Sequence, residues 1–205
     1  MKRECHVRFC ESGGVRLPSA TRLVVLIQAH PSKRWLLRAV PKRLRQELAK
    51  LQVQINEEKS RKVDLVRGES FGFLGFDFRR VRSLNGRWRP QYTPKLKKRT
   101  ALLRQLREIF WRYRSQPVQS VVTLINPILR GWVNYFAIGH SSRCFQLVKR
   151  WVELKIRRHL RRSRHRRGFG WVAWSTSRLY AAFGLFNGYH VRPALRWALR
   201  AHLVS

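Results

Sequence analysis

The chain has 205 residues and a formal net charge of +35, with 45 Lys and Arg residues against 10 Asp and Glu residues. Hydrophobic residues make up 44% of it and aromatic residues 12%, which excludes a disordered basic tail because such tails lack the side chains to bury a core. So large a charge repels itself unless a polyanion is near. We therefore expect nucleic acid as the partner, rank an anionic membrane surface second, and consider an inert soluble enzyme a poor third.

The charge is uneven along the chain. Residues 78–205 contain 29 basic residues and only two acids, Glu108 and Glu153, a net charge of +27, whereas residues 1–77 contain 16 basic and 8 acidic residues. This change predicts a domain boundary near Asp77–Arg79. Metal-dependent hydrolases and polymerases need at least two close carboxylates, so we expect no such site in the second part. The sequence also contains no phosphate-binding loop, nucleophile elbow or His-Glu-x-x-His motif.

The cysteines are few and odd in number. Cys5, Cys10 and Cys144 predict reduced thiols in an intracellular, cytoplasmic protein, with an organelle as the alternative. The spacing of Cys5, His6 and Cys10 matches no common zinc pattern. No apolar run is long enough to span a membrane, and the N-terminus does not resemble a signal peptide. We therefore expect no metal site and no membrane span. The apolar stripes of the helices look core-facing rather than membrane-facing, so a membrane partner is ranked last and is not expected.

The first predicted elements are short. Residues 1–34 show no clear pattern, because glycines and prolines interrupt them; Leu23–Ile27 could form a short buried strand. Leucines at helical spacing predict a helix whose first turn contains Pro41. We expect Asn56–Lys59 to turn the chain and Lys62–Val66 to form a strand.

A hairpin region follows. Phe71–Phe78 largely alternates aromatic residues with small or polar ones, which predicts one strand with an aromatic face that packs into a core rather than stacking on bases. The Asn-Gly dipeptide at 85–86 is favoured in tight hairpin turns and predicts a returning strand at Arg87–Tyr92. Thr93 and Pro94 then predict the N-cap and first residue of a helix.

Three amphipathic helices are predicted in the remainder of the chain. The second contains the apolar stripe from Val118 to Trp132, which Pro127 should kink, and the third spans about Ser142–Arg162. The stretch Lys149–Arg167 contains ten Lys and Arg residues and a single Glu. We interpret it as phosphate-binding, because a plain solvated face normally mixes both signs. Arg-rich helices with interleaved aromatic residues suit structured RNA, although charge alone leaves duplex DNA open.

Two segments resemble the group II intron reverse transcriptases, or maturases. Residues 55–60, Ile-Asn-Glu-Glu-Lys-Ser, and residues 68–76, Gly-Glu-Ser-Phe-Gly-Phe-Leu-Gly-Phe, resemble the end of that family's palm and its Phe-Leu-Gly-Phe motif. Residues 124–136, Leu-Ile-Asn-Pro-Ile-Leu-Arg-Gly-Trp-Val-Asn-Tyr-Phe, are similar to the most recognisable segment of the thumb, the maturase-specific domain X. The motif residues are Phe73, Leu74, Gly75, Phe76, Asn126, Pro127, Leu129, Gly131, Trp132 and Tyr135. For Trp132 we favour a core role over base stacking.

The resemblance implies an α+β fold, with a small palm-derived helix and β-hairpin region followed by a mostly α-helical thumb. It divides the chain into a diverged N-terminal remnant at 1–34, the end of the palm at 35–92 and domain X at 93–205. The family's catalytic magnesium ions bind to a Tyr-x-Asp-Asp-type motif, but this sequence contains no Asp-Asp pair. We therefore expect a truncated protein, with fingers and most of the palm missing before Met1 and no catalytic residue. We also expect no cofactor of its own, although the intact polymerase and the RNA both need magnesium.

In this family domain X and the neighbouring palm surface bind the intron RNA and help it fold, while the RNA performs the chemistry. The resemblance thus implies an RNA-binding maturase fragment of a mobile element that assists splicing. Its expected partners are group II intron RNA, then target DNA and a separate reverse transcriptase portion. The RNA-binding residues carried over are Arg79, Arg80, Arg82, Lys95, Lys97, Lys98, Arg99, Arg130, Lys149, Arg150, Lys155, Arg157, Arg158, Arg161, Arg162, Arg164, Arg166 and Arg167.

His159 and His165 lie inside the basic stretch, and we expect them to add to the same surface. Two alternative functions stay open. The chain is either the C-terminal part of an RNA-directed DNA polymerase that another polypeptide completes, or a nonfunctional remnant that folds poorly.

Overall fold

Strands dominate the first half of the chain and helices the second. The computed structural model describes residues 4–12, 22–53, 55–162 and 173–192, and the chain divides into two units, Met1–Gln91 and Tyr92–Ser205. This arrangement confirms the α+β class with a helical C-terminal part. The boundary predicted from charge is wrong, because Asp77–Arg79 lies inside a strand of the first unit.

The first sheet has the strand order β2-β1-β3, and all its pairs are antiparallel. Its strands are β1 (Glu4–Ser12), β2 (Arg22–Ala29) and β3 (Ile55–Asp64). Strand β2 confirms the strand predicted at Leu23–Ile27, and it pairs with β1 along its whole length. The burial predicted for it is wrong, because none of these residues is buried and Leu26 is 69% exposed.

The turn predicted at Asn56–Lys59 is wrong, because these residues lie inside β3 and do not reverse the chain. A hydrogen bond typical of turns is nevertheless present there. Asn56 pairs with Glu11 and Arg61 with Phe9, so residues 57–60 stand opposite Cys10 alone and bulge from the strand. The Asn56 side-chain oxygen accepts the Lys59 N–H at 3.1 Å, which is a turn-type bond. The strand predicted at Lys62–Val66 is the end of this longer one.

Helix α1 (Leu36–Lys50) follows a short 3-10 turn at Pro31–Lys33. It begins earlier than predicted, and Pro41 lies inside it rather than in its first turn. A proline there removes one helical hydrogen bond. The helix nevertheless continues through Pro41, whose side chain is buried.

The aromatic segment forms two strands rather than the single strand predicted. Strands β4 (Ser70–Phe73) and β5 (Phe76–Arg82) are joined by a two-residue turn in which Leu74 has φ +44° and Gly75 φ +80°. Positive φ at both positions defines the tight turn that joins antiparallel strands. Phe71 therefore lies opposite Phe78, and their rings stack with centroids 5.0 Å apart.

These aromatic residues pack into a core, as predicted. Val63 and Phe71 form its centre, and Val24, Leu65, Phe73 and Phe78 pack against it. Phe76 is also buried, with 4% of its surface exposed. The Phe-Leu-Gly-Phe motif is thus a hairpin turn whose aromatic residues hold the first unit together.

The Asn-Gly turn is confirmed. Gly86 has φ +73°, and Ser83 N–H donates to the Arg87 carbonyl at 2.8 Å as the hairpin closes. The returning strand, β6 (Trp88–Pro94), completes a second sheet of order β4-β5-β6.

The described part of the second unit contains four helices. They are α2 (Leu96–Arg112), α3 (Val118–Tyr135), α4 (Ser142–Arg162) and α5 (Thr176–Phe183). The limits predicted for α4 are confirmed. The predicted start of α2 is wrong, because Thr93 and Pro94 end β6 and Lys95 is the N-cap.

The strand continues because Tyr92 and His140 are bonded to each other. The His140 N–H donates to the Tyr92 carbonyl at 3.0 Å, and the Tyr92 N–H donates to His140 Nδ1 at 3.4 Å. Gly139 has φ +71° and lies so close to the Tyr92 ring that an added Cβ would overlap it. A glycine is therefore required at this contact.

The core of this unit lies between α2, α3 and α4 and is apolar. Its fully buried side chains include Leu106 of α2, Val121, Ile125 and Leu129 of α3, and Phe145, Val148 and Ile156 of α4. These are the stripes that helical periodicity predicts.

Candidate nucleic-acid interface

Helix α4 separates an apolar stripe from a cationic face. The stripe consists of Phe145, Val148, Val152, Ile156 and Leu160, all buried. Arg150, Arg158 and Arg162 are exposed to solvent. The one acid of this helix, Glu153, is buried, with only 6% of its surface exposed. The exposed face therefore carries one sign of charge, which favours a polyanion over a plain solvated face.

Arg157 does not belong to that face, and its predicted role in RNA binding is wrong. Its side chain is fully buried, and its Nη1 lies 3.4 Å from Glu153 Oε2. Its Nε donates to the Trp174 carbonyl at 2.9 Å, and its Nη2 donates to Thr176 Oγ1 at 3.1 Å. A buried guanidinium needs such partners. Arg157 therefore fastens the start of α5 to α4.

The same polar cluster includes two tyrosines. Tyr180 OH donates to Glu153 Oε1 at 3.0 Å. Burial, and then the negative charge of Glu153, raises the pKa of Tyr180 well above its usual range. Burial and the same carboxylate raise the pKa of Tyr189. Both hydroxyls therefore stay protonated, and the Glu153 carboxylate interacts with side chains inside the unit rather than with surface cations.

His159 is buried too, against expectation. Its Nε2 lies 2.8 Å from the Gln116 carbonyl, and its ring centroid is 6.4 Å from that of Phe110. It therefore holds the α2–α3 connection against α4 rather than facing RNA. His165 lies outside the described residues.

The other predicted RNA-binding residues differ in exposure. The exposed ones are Arg79, Arg82, Lys97, Lys98, Arg130, Arg150, Arg158 and Arg162, and the half-buried ones are Arg80, Lys95, Arg99, Lys149, Lys155 and Arg161. Arg164, Arg166 and Arg167 lie outside the described residues. Their binding to RNA stays a prediction.

Some of these cations also have structural contacts. Lys149 Nζ donates to Asn187 Oδ1 at 3.0 Å, and the Arg80 guanidinium lies 4.5 Å from the centroid of the Trp88 ring. Burial raises the pKa of the Cys144 thiol, while the neighbouring Arg99 acts in the opposite direction. Arg99 therefore lies at the edge of the core. We expect such residues to contribute less to an RNA surface than the fully exposed ones.

The motif residues of α3 are mainly structural. Asn126 Nδ2 donates to the Gly184 carbonyl, and its Oδ1 accepts the Phe186 N–H, both at 2.9 Å. Leu129 is fully buried. Asn126 of the Asn-Pro-x-Leu-Arg-Gly-Trp pattern therefore holds the backbone that follows α5.

Trp132 packs into the unit, and its ring centroid lies 4.7 Å from that of Phe136 and 5.9 Å from that of Phe145. Because the side chain is only half-buried, these contacts support the core role predicted for it in part. Its Nε1 is buried without a hydrogen-bond partner in the part of the chain that the structure describes. Tyr135, by contrast, is 56% exposed, and both residues line a groove with Lys98.

The sequence did not place Arg107 and Trp111 beside the cations that it predicts on α4. Arg107 and Trp111 of α2 lie beside Lys155, Arg158 and Arg162 of α4 around one cleft. The three α4 residues are spaced three and four apart, so periodicity places them on one face. Nothing in the sequence pairs that face with α2.

Within the described ranges, no three His, Cys, Asp or Glu side chains come together as a metal site would require. The helices that are described there are all too short or too polar to cross a membrane.

The fold and surface define a small α+β protein in which the exposed face of helix α4 carries positive charge alone. The family model for the group II intron, maturase-specific domain matches residues 99–178, which include α2 from Arg99 onward, all of α3 and α4, and the start of α5. Residues 99–178 therefore match a group II intron maturase-specific domain, which implies a function related to that of group II intron maturases. None of the curated proteins matches the chain.

Proposed function

We propose that this chain binds structured group II intron RNA through the exposed cations of its helical unit and assists the folding and splicing of that RNA. The observation that carries the proposal is the one-signed surface of α4 inside a maturase-specific domain. Neutralising phosphates releases counterions, so such a surface binds RNA with little need for base contacts. A location inside the cell follows from the same proposal, because the intron RNA is there.

We also propose that the chain has no polymerase site of its own. Its sequence contains two aspartates, Asp64 and Asp77. Asp64 Oδ1 accepts the Val66 N–H at 2.8 Å, and its Oδ2 lies 3.4 Å from Arg67 Nε. Asp77 lies on β5 opposite Gly72 of β4. These turn and hairpin positions support a structural role for both carboxylates.

RNA binding is tested by measuring the dissociation constant of the full chain for a folded group II intron RNA over a series of KCl concentrations. We expect log K to fall steeply with log salt. Replacing Arg150, Arg158 and Arg162 together with Gln should weaken binding and reduce the slope by about 2–3, since each lost phosphate contact removes about 0.7–0.9. Salt-insensitive binding, or none, contradicts the proposal.

The matched control removes the same charge from the other unit. Arg38, Lys42 and Lys62 are exposed cations there, and their joint replacement with Gln keeps the net charge equal to that of the first triple variant. We expect a much smaller change in slope, because long-range attraction alone does not release condensed counterions. An equal loss in both triple variants would mean that net charge, rather than this face, determines binding.

Assistance to the RNA is tested by splicing of the intron at a magnesium concentration that limits self-splicing, with and without the chain. We expect the chain to increase the spliced fraction. Primer extension on an RNA template tests the second proposal, and nucleotide incorporation by the isolated chain would contradict it. A chain without a cooperative unfolding transition, even with RNA, would instead be the nonfunctional remnant.

Two further partners are proposed. Target DNA would meet the same cations, and a separate reverse transcriptase portion would supply the palm and fingers. Competition by a DNA duplex of equal length tests the first, and we expect it to displace the intron RNA only weakly. Primer extension with a separately expressed palm and fingers polypeptide tests the second.

A further inference from the structure

A small cleft lies between α2 and α4. It has a volume of about 190 Å³ and is lined by four cations, Arg107, Lys155, Arg158 and Arg162. Cations converge here although they repel each other. Desolvation by burial lowers the pKa of Lys155, and the charges of the three arginines lower it further. Such a convergence is unfavourable in the free protein and is relieved when an anion binds between the charges.

Packed side chains support the cleft. Phe110 contacts Trp151, with ring centroids 6.3 Å apart, and Lys155 Nζ lies 5.2 Å from the Trp151 ring centroid. His159, also at the cleft, is held by its bond to the Gln116 carbonyl. The cations therefore stand on a packed aromatic layer, which reduces the ordering entropy that a ligand must overcome.

The edge of the cleft is aromatic. Trp111 is 74% exposed and lines the same cleft. An exposed Trp beside phosphate-binding cations is the usual arrangement of single-strand binding surfaces, where bases stack on aromatic rings. Bases inside an A-form helix are already stacked and cannot reach such a ring.

We propose that this cleft binds one unpaired nucleotide of an RNA, with its phosphodiester group on the four cations and its base stacked on Trp111. The cleft is smaller than the roughly 300–1,000 Å³ typical of small-molecule sites, which suits one phosphate group with the base outside on the ring. The inference rests on the proposed RNA-binding function. It deepens that function by naming unpaired rather than helical RNA as what this site recognises.

The test uses the full chain and two fluorescent RNA hairpins that differ only in a short single-stranded extension. We expect the wild-type chain to prefer the extended hairpin. Trp111→Phe keeps a ring and should keep the preference, whereas Trp111→Leu keeps apolar surface without a ring and should lose about tenfold in affinity for the extended hairpin alone. Thermal unfolding confirms that both variants are folded, as expected for an exposed position.

The charged part is tested with Lys155→Gln, which should weaken binding mainly to the extended hairpin and lower the salt slope for that hairpin by about 1. Arg143→Gln, at an exposed position at the start of α4 outside the cleft, is the matched control. Equal binding of both hairpins by the wild type, or an unchanged preference in Trp111→Leu, overturns the inference and leaves the proposed function standing. Failure to bind either hairpin or the intron RNA at low salt overturns the proposed function itself.

Discussion

Replacing Arg157 tests whether this arginine belongs to the fold or to the RNA surface. The side chain is fully buried and bonded to Glu153, Trp174 and Thr176. We expect Arg157→Met, which preserves most of the volume, to lower the free energy of unfolding by about 3–5 kcal/mol, because it leaves the buried carboxylate without its charged partner. The loss of the bond to the Trp174 carbonyl is part of this effect.

The partner variants separate charge from packing. Glu153 Oε1 keeps the Tyr180 hydroxyl as a donor, so the carboxylate retains one partner when Arg157 is replaced. Replacing both members, as Glu153→Gln with Arg157→Met, removes the buried charges together and should destabilise by less than the sum of the single changes. A coupling of about 1–3 kcal/mol is expected for groups in one network.

The assay is urea unfolding followed by far-UV circular dichroism, with Arg143→Met as the control at an exposed position of the same helix. The control should stay within about 0.5 kcal/mol of the wild type. An Arg157→Met variant as stable as this control would refute the buried network. So would a variant that folds normally yet shows the reduced salt slope for RNA that the sequence alone predicts for this position.

Three further predictions concern the same unit. Gly139→Ala should destabilise by about 2–4 kcal/mol, measured by urea unfolding, because an added methyl group meets the Tyr92 ring at a backbone φ of +71°; an unchanged midpoint would contradict that contact. Asn126→Ala should destabilise by about 1–3 kcal/mol and speed hydrogen exchange at the Phe186 amide, which loses its acceptor. The free energy of unfolding should fall as pH rises above about 10. Burial and Glu153 raise the folded-state pKa of Tyr180, so its contribution is complete below the unfolded-state pKa and is lost progressively as pH rises toward the folded-state pKa. Tyr180→Phe, compared by urea unfolding, should weaken this fall, and an identical pH profile would contradict the prediction.

Periodicity predicted most of the helical unit, because apolar stripes on α3 and α4 are long and regular. It could not predict the turn at Leu74 and Gly75. A leucine at φ +44° is unusual, so the aromatic alternation around it indicated one continuous strand. The start of α2 was missed for a different reason. Thr93 and Pro94 are good helix-starting residues, but the backbone bonds between Tyr92 and His140 join positions far apart in sequence.

The charge pattern of α4 shows the same limit at the candidate site. A count of basic residues ignores their phase on the helix, and Arg157 follows Glu153 by one turn on the buried side. That spacing, in a helix with no other acid, is the signal that could have marked Arg157 as structural. The cleft at Trp111 lies between two helices that are distant in sequence, so the sequence alone could not predict it.

The scarcity of acids in the helical unit has opposite consequences for folding and for binding. Glu153 forms an ion pair with Arg157 and accepts a hydrogen bond from Tyr180 in the core, so the buried arginine has a negatively charged partner of its own. The remaining cations repel each other at the surface, and the fold has to be stable in spite of them. Added salt screens that repulsion and should favour the folded free chain, while the same salt weakens attraction to phosphates. The helical unit is therefore best stabilised where a polyanion, rather than an acidic side chain, supplies the missing charge.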